Sequence, residues 1–505
     1  MTLLEDAPST DLHGFGYRQE LKRTVGSFAS FAIGFSFVSI LTTVFQLFGL
    51  GFGFGGTAFF WTWPAVFVGQ LMVALCFAEL AARYPLSGAI YQWSRRLSGA
   101  VVGWFAGWTM IIAQIVTLAA AAIALQVVLP LIWSGFQLIG DDPSLVSVSG
   151  ASNAVVLGVV LLAITTAVNA ASVRITAIAS SVGVVCELVG VVLVVVLLFG
   201  TAERGPEVVL QPTEPVTGGG MSLPLLAAAL MAAYVLVGFD SAGELSEETR
   251  NPRRTAPRTI LRAFIASGVG GALLIIAALM AAPSLTDGRL ATEGLPYVLL
   301  SRLDTVPGTL LLIDVAIAVF VCTLAIQTSA TRMIFSMARD GVLPRTGALA
   351  SVSTRTGTPI VPTIVTGVGA AALLLVNIGN PALFTALTSV CIMLMYLAYL
   401  GVTAPMLWRR VRRELPADGA DETGRPLFSM GRWGLVVNVL AVLYGLAMAI
   451  NLGWPRAEVF DPAGGHWYLQ YLGPIAVAVT FLLGALAYAS TRRRAAAVAL
   501  TPEVA

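Results

Sequence analysis

The stretch from Tyr234 to Arg254, YVLVGFDSAGELSEETRNPRR, decides the fold. An apolar run that begins at Met221 meets Gly238, Phe239 and Asp240, then acids at 244, 247 and 248, then Arg250, Arg253 and Arg254. The surrounding composition says what that run is. Of 505 residues, 57% are hydrophobic and 11% charged, and the mean hydropathy is +0.86, outside the soluble class. The aspartate therefore stands in a run long enough to cross a bilayer, where a charge costs at least ~2.5–3.5 kcal/mol.

Working outward, about twelve stretches are long enough to span roughly 30 Å of hydrocarbon at about 1.5 Å per residue. They cover 27–48, 57–81, 101–129, 153–171, 175–200, 221–243, 261–283, 309–337, 359–378, 382–408, 434–453 and 470–490. The expected class is an all-α integral membrane protein. The polar first 24 residues carry no cleavable signal pattern, so span 1 is expected to insert as its own signal. With the N-terminus placed inside, all but four of the 29 basic residues fall in cytoplasmic segments. Only Arg204, Arg289, Arg302 and Arg456 are then external. The expectation is a multi-pass protein of the plasma (inner) membrane with both termini cytoplasmic.

Other classes find little support. The four cysteines, 76, 186, 322 and 391, lie in apolar spans and form no CxxC pair. With only His13 and His466, neither a zinc site nor a Ser-His-Asp arrangement can be assembled, so no enzyme, metal or cofactor is expected. Gly51, Gly53 and Gly56 fit G-x-G-x-x-G, but the pattern joins two membrane spans rather than a strand and a helix, which implies close packing. No ATP-binding motif is present. A channel or a transporter-like receptor is the competing class, and saturable, ion-dependent exchange would separate it from a carrier.

In lipid, a helix can be interrupted only where it is buried in protein or lines a wet cavity. Two spans look interrupted. Span 1, FAIGFSFVSILTTVF, is weakened by Gly34, Ser36, Ser39, Thr42 and Thr43; span 6 by Gly238, Asp240, Ser241 and Gly243. These are the first spans of two five-span halves, 25–200 and 221–408, and five is odd, so the halves enter from opposite sides. This is the pattern of a five-plus-five inverted repeat with broken helices 1 and 6. Spans 11 and 12 (434–490) lie outside it, as do the tails 1–24 and 491–505. Asp240 then either meets a cationic group of a substrate or holds the unwound segment in shape; an ordinary cap at the cytoplasmic face is the plainer alternative. Glu247 and Glu248 with Arg250 and Arg254 are expected to form a cytoplasmic ion-pair network that latches an inner gate, against the alternative of a solvated loop. Glu79 and Arg83 fit a helix-end pair.

FSFVSILTTVF, AELAARYPLSGAIYQWS, GFDSAGELSEETRNPRRTAPRTI and TSATRMIFSMARDGVLP, in this order, closely resemble the amino acid/choline transporter branch of the amino acid–polyamine–organocation permeases. The resemblance covers residues 18 to 410. It implies a leucine-transporter-type fold and transport of amino acids, γ-aminobutyrate, choline, ethanolamine or polyamines. By position it implies a substrate site at Ser36, Ser39 and Thr42 of span 1, Gln114 of span 3, and Phe239, Asp240 and Ser241 of span 6. Span 1 departs from the commoner pattern of small residues ending in Gly-Ile-Phe. Amides of the unwound segment are the expected carboxylate donors.

Glu187, in SVGVVCELVGVV, is alone in span 5; the resemblance implies a lysine at about this position in many relatives, near where sodium-coupled cousins bind their ion. It is the candidate carrier of a coupling proton, with a structural hydrogen bond to a neighbouring helix as the alternative. Thr328 and Ser329 of span 8 are the candidate oxygens for a competing sodium site, though such hydroxyls often bond their own backbone. Asp314, early in span 8, fits a helix-end carboxylate. The expected activity is secondary transport of an amino acid or related small amine by alternating access, coupled to H+ or Na+ or run as exchange. The expected partners are that small molecule and the lipid bilayer, with no nucleic acid.

Overall fold

The protein is described here by a computed structural model covering residue 12 and residues 14–217, 223–344, 346–376, 378–380, 382–416, 419–420, 424–460 and 466–500. The first eleven residues and His13, the start of span 6 at Met221, and the last five residues of the C-terminal tail lie outside the described residues.

Among the described residues, nine helical stretches are long and apolar enough to cross a membrane. The first, 27–83, contains expected spans 1 and 2, and two shorter apolar helices stand where spans 6 and 9 were expected. The helices that matter below are α1 (Ser27–Val38), α2 (Ile40–Gly55), α3 (Thr62–Arg83), α4 (Ala89–Ser98), α5 (Ala100–Ala122), α6 (Leu125–Ile132), α7 (Val148–Ala171) and α8 (Val173–Gly200). They continue with α9 (Pro224–Val235), α10 (Ser241–Glu244), α11 (Pro252–Ala281), α12 (Thr305–Arg339), α13 (Ile360–Val376), α14 (Leu383–Val411), α15 (Gly434–Gly453) and α16 (Leu472–Leu500). Outside the helices, the described residues pair only in isolated bridges, Val25 with Thr249 and Ala420 with Pro426.

The packing repeats with an offset of five spans. Helix α2 lies on α9, α3 on α11, α5 on α12, and α7 on α13. The cross-contacts repeat as well: α5 packs on α14 as its counterpart α12 packs on α8. Both halves thus use the same pairing, as an inverted repeat requires. Helices α15 and α16 pack outside, against α14.

Where helix limits moved, side-chain chemistry explains it. Helix α11 starts at Pro252 rather than 261, because Arg253, Arg254, Arg258 and Arg262 mask its first turns in a hydropathy reading. Proline at its first helical positions presets the helical φ. Helix α4 lies between spans 2 and 3; it is too polar to cross, yet Ala89 through Ser94 are buried. Gly51, Gly53 and Gly56 belong to a close approach. A Cβ on Gly51 would fall 2.7 Å from the Phe59 ring and 2.8 Å from Met231 Sδ, and one on Gly56 2.3 Å from Thr213 O.

The α3–α11 contact is equally close. Trp63 Nε1 donates to Gly268 O at 2.8 Å, and its ring lies 2.2 Å from where a Gly271 Cβ would be. Gly271→Val should therefore overpack this seam and lower stability by ~1–3 kcal/mol. A detergent-solution melting curve checks this, and an unchanged midpoint would contradict it.

Candidate functional site

Helix α1 ends at Val38, α2 begins at Ile40, and Ser39 between them has φ 37° and ψ 84°. A left-handed serine in mid-membrane leaves the amide end of α2 without helical partners. Glu187 of α8 supplies one. Its Oε1 accepts from Ser39 Oγ at 2.9 Å and Leu41 N at 3.3 Å, while Ser39 Oγ lies 2.7 Å from Thr42 Oγ1. The Ser39 hydroxyl has one proton, so with that proton on the carboxylate it accepts from Thr42. Glu187 thus caps α2 from a neighbouring helix, and its Oε2, fully buried, has no hydrogen-bond partner among the described residues.

The second interruption is longer. Helix α9 stops at Val235, Gly238 takes φ 89°, and the chain resumes as the single turn α10. Tyr399 of α14 bridges the gap: its hydroxyl accepts from Gly238 N at 3.0 Å and donates to Asp240 Oδ1. Phe239 packs among the rings of Phe77, Phe264 and Tyr399, with centroids 5.2–5.9 Å away. The two interruptions touch, since a Cβ on Gly238 would fall 1.9 Å from Phe37 Cδ1.

Between α1, α2, α5, α9, α12 and α14 lies a narrow cleft with a cavity volume of about 10 Å³, room for about one water molecule. Its walls include Phe37, Val38, Thr42, Thr43, Gln46, Thr117, Tyr234, Val237, Cys322, Cys391 and Met395, and no charged side chain among the described residues lines it. A second cleft of about 20 Å³, walled by Leu47, Leu50, Leu230, Thr388, Ser389 and Leu452, shares Tyr234 and Ile392 with the first.

Of the residues expected around a substrate, the cleft includes Thr42, and Ser39 stands beside it through their hydrogen bond. Ser36 and Ser241 are buried, and Gln114 Nε2 donates to Ser329 Oγ at 2.9 Å. Asp240 and Phe239 belong to the Tyr399 cluster rather than to the cleft wall. Gln46, Thr117 and Tyr234 do line it. Their signal was a polar or phenolic group in mid-span, diluted by the many hydroxyls of a membrane chain. Thr328 Oγ1 is engaged by Asn169 Oδ1 at 2.6 Å and Leu324 O at 2.8 Å, its own backbone included. Among the described residues, no three His, Cys, Asp or Glu side chains group as metal ligands.

A third cluster closes the bundle on the side of residues 247–249. Glu247 pairs with Arg339 through two 2.7 Å bonds and accepts Ser87 N at 3.0 Å; Glu248 accepts Arg332 Nε at 2.7 Å and Nη2 at 3.1 Å. These partners come from α12, where the sequence expectation had grouped the acids with Arg250 and Arg254. The chain turns at Thr249, so Arg250 is exposed while both carboxylates point into the bundle. Arg332 and Arg339, seven residues apart, share one face of α12; two arginines so close to an apolar span were the readable sign that carboxylates must meet them. The N-terminal segment lies across this cluster. Val25 N bonds Glu248 O at 2.9 Å, and Tyr17 donates to Asp340 Oδ1 at 2.8 Å. Glu244, fully buried, faces the amide end of α4 at Gly88–Ile90 without reaching hydrogen-bond geometry. Glu79 holds Arg410 at 2.6 Å as well as Arg83, so the expected local pair ties α3 to α14.

Two interrupted helices meeting at a closed cleft, inside a twofold-repeated helical bundle, define a membrane permease rather than an enzyme. Sequence comparison agrees: a family model described as amino acid permease matches residues 25–481, and the chain belongs to that family. Curated relatives include the amino-acid permease BAT1 of Arabidopsis thaliana, 26% identical over 90% of this chain and 89% of that protein. The low-affinity putrescine importer PlaP of Escherichia coli (strain K12) is 26% identical over 71% and 76%, and the methylthioribose transporter of Bacillus subtilis (strain 168) 26% over 78% and 86%.

Removing the Tyr399 hydroxyl would leave Asp240 and the Gly238 amide buried without that partner, at ~1–3 kcal/mol for each group. Tyr399→Phe should lower the melting temperature, whereas Tyr396→Phe, whose hydroxyl faces Tyr444 at 2.8 Å, should do so less. Equal losses would remove Tyr399 as the support of the second interruption.

Proposed function

We propose that this permease carries a zwitterionic amino acid with an uncharged side chain, by proton-coupled alternating access. The observation that carries the reading is the cleft wall, which among the described residues holds no carboxylate and no cation. The N-terminal end of α2 lies along it at Thr42 and Thr43, and the C-terminal end of α9 at Tyr234. A helix N-terminus favours a carboxylate and a helix C-terminus an ammonium, so two helix ends serve a zwitterion without any ionised side chain. A diamine would bring a second ammonium with no carboxylate in the wall. This favours an amino acid over choline or a polyamine, although the relatives include a putrescine importer.

For coupling, Glu187 supports a proton. Ionised, it caps the positive end of α2; protonated, it gives up much of that interaction. Loading a proton thereby changes how firmly the first interruption is held. The hydroxyls of Thr328 and Ser329 are already engaged, which weighs against sodium. The halves 25–200 and 221–408 move against each other in this reading, with both termini at the cytoplasmic face of the plasma membrane and the Glu247–Arg339 and Glu248–Arg332 pairs latching the inner gate.

A melting screen tests the substrate class first. An amino acid at 100 times its dissociation constant should stabilise by ~2.7 kcal/mol, and choline, ethanolamine and putrescine should not; stabilisation by the amines alone would overturn the proposal. In proteoliposomes, Glu187→Gln should keep ligand binding and lose uptake driven by a proton gradient, and intact gradient-driven uptake would end the coupling role. Glu247→Gln strands Arg339, a change worth ~3–5 kcal/mol for a buried pair. It should raise labelling of cysteines introduced beneath the gate, and unaltered labelling would dismiss the latch.

A further inference from the structure

Asp314 has no part in the site above, yet its carboxyl sits beside it. It is half-buried on α12, with Oδ2 unpartnered among the described residues, and it lies on Gly190 of α8. A Cβ at 190 would fall 1.7 Å from Asp314 Oδ2 and 3.2 Å from Leu41 Cδ1. Leu41 is the residue whose amide Glu187 caps. Glu187 and Gly190 are three residues apart on one helix, so their Cβ positions are neighbours at about 5–6 Å. The missing side chain at 190 thus makes room for a second carboxyl one helical turn from Glu187.

We propose that Asp314 is the outer member of a two-carboxyl proton relay that loads Glu187; this rests on the reading of Glu187 as the coupling group. Asp314 stands nine residues from the start of α12 and Glu187 thirteen from the end of α8, ends that Arg302 and Glu203 tie together, so a proton that reaches Glu187 from this side meets Asp314 first. The step is a simple transfer. The proton leaves the Asp314 carboxyl, which becomes a carboxylate, and arrives on the free Oε2 of Glu187, which becomes neutral. The pair's charge is unchanged. Neither Asp314 Oδ2 nor Glu187 Oε2 has a hydrogen-bond partner among the described residues, so the transfer passes through a water taken up between them. No basic residue competes: α1 and α2, α5 and α6, α8 beyond Arg174, α11 beyond Arg262, and α12 before Arg332 contain no Lys or Arg. The other titratable group facing Glu187 is the Cys322 thiol. Gly270 of α11 comes against Ile40 and Val191 and adds only its backbone there.

The test uses the full chain in proteoliposomes, with alanine and leucine as probes and three readouts: ligand-induced melting shift, substrate exchange at symmetrical pH, and uptake driven by a pH gradient. Asp314→Asn should keep the first two within about twofold and lower the third about 100-fold, the low end of what a positioned proton-transfer group contributes. Gly190→Ala, whose methyl would displace the carboxyl without removing it, should give the same split, and Asp314→Glu should recover part of the driven uptake. Wild-type driven uptake by Asp314→Asn or Gly190→Ala overturns the relay. Should Asp314→Asn fail to fold, Gly190→Ala decides alone. Loss of driven uptake in Glu187→Gln but not in these variants would reject the relay and leave the coupling role standing. Retention in Glu187→Gln would reject that role instead.

Discussion

A backbone amide or carbonyl inside hydrocarbon must find a partner within the protein, and the rest of this structure follows from how two interrupted helices meet that demand. Each interruption is held by a side chain from a different helix. At Ser39 the partner is a carboxylate, Glu187 of α8; at Gly238 it is a phenol, Tyr399 of α14. A residue on the same strand of chain would move with the break. A partner on another helix makes the geometry of the break depend on how those helices sit together.

The two supports differ in kind. Tyr399 ties backbone and Asp240 into one buried knot, and neither group of that knot lines the cleft. Its chemistry is suited to holding a shape. Glu187 can change charge, and the group it caps is the positive end of a helix, so the strength of its hold varies with protonation. Asp240 was the residue that first marked this chain as unusual. Its carboxylate is held by the Tyr399 hydroxyl at the second interruption, while the less conspicuous glutamate lies in an otherwise featureless span and caps the first.

Much of the architecture was legible because it rests on physics that acts along the chain. Hydropathy located the spans, and the Gly, Ser and Thr residues of spans 1 and 6 marked where helices open. What could not be read was partnership across spans. Nothing local to Glu247 distinguishes a pairing with Arg250, three residues away, from one with Arg339, ninety-two residues away. The turn at Thr249 decides it. Tyr399 was equally hidden, as one tyrosine among several in apolar spans. Helix α11 was misjudged at its start for the opposite reason: four arginines look like a loop in a hydropathy reading, although a proline at a helix start and a run of good helix formers describe one.

The buried ion pairs beneath the cleft are poor candidates for simple stabilisers. Removing two charges from water costs several kcal/mol per ion, and the attraction between them repays this only when geometry and further hydrogen bonds are good. Arg339 and Glu247 meet through two bonds and Glu247 takes a third from Ser87, so the cost is offset in this arrangement. It would not be offset in one where the pair is parted while still dry. Separation therefore requires water to enter as the helices part, and intermediate, half-open arrangements are the least favourable of all. The same holds for Glu248 and Arg332, whose side chains are at most 1% exposed. If they latch a gate as proposed, two such pairs side by side would leave the bundle with a closed state and a hydrated open one, and little between them, which is the behaviour a carrier needs if its two sides are never to be open together.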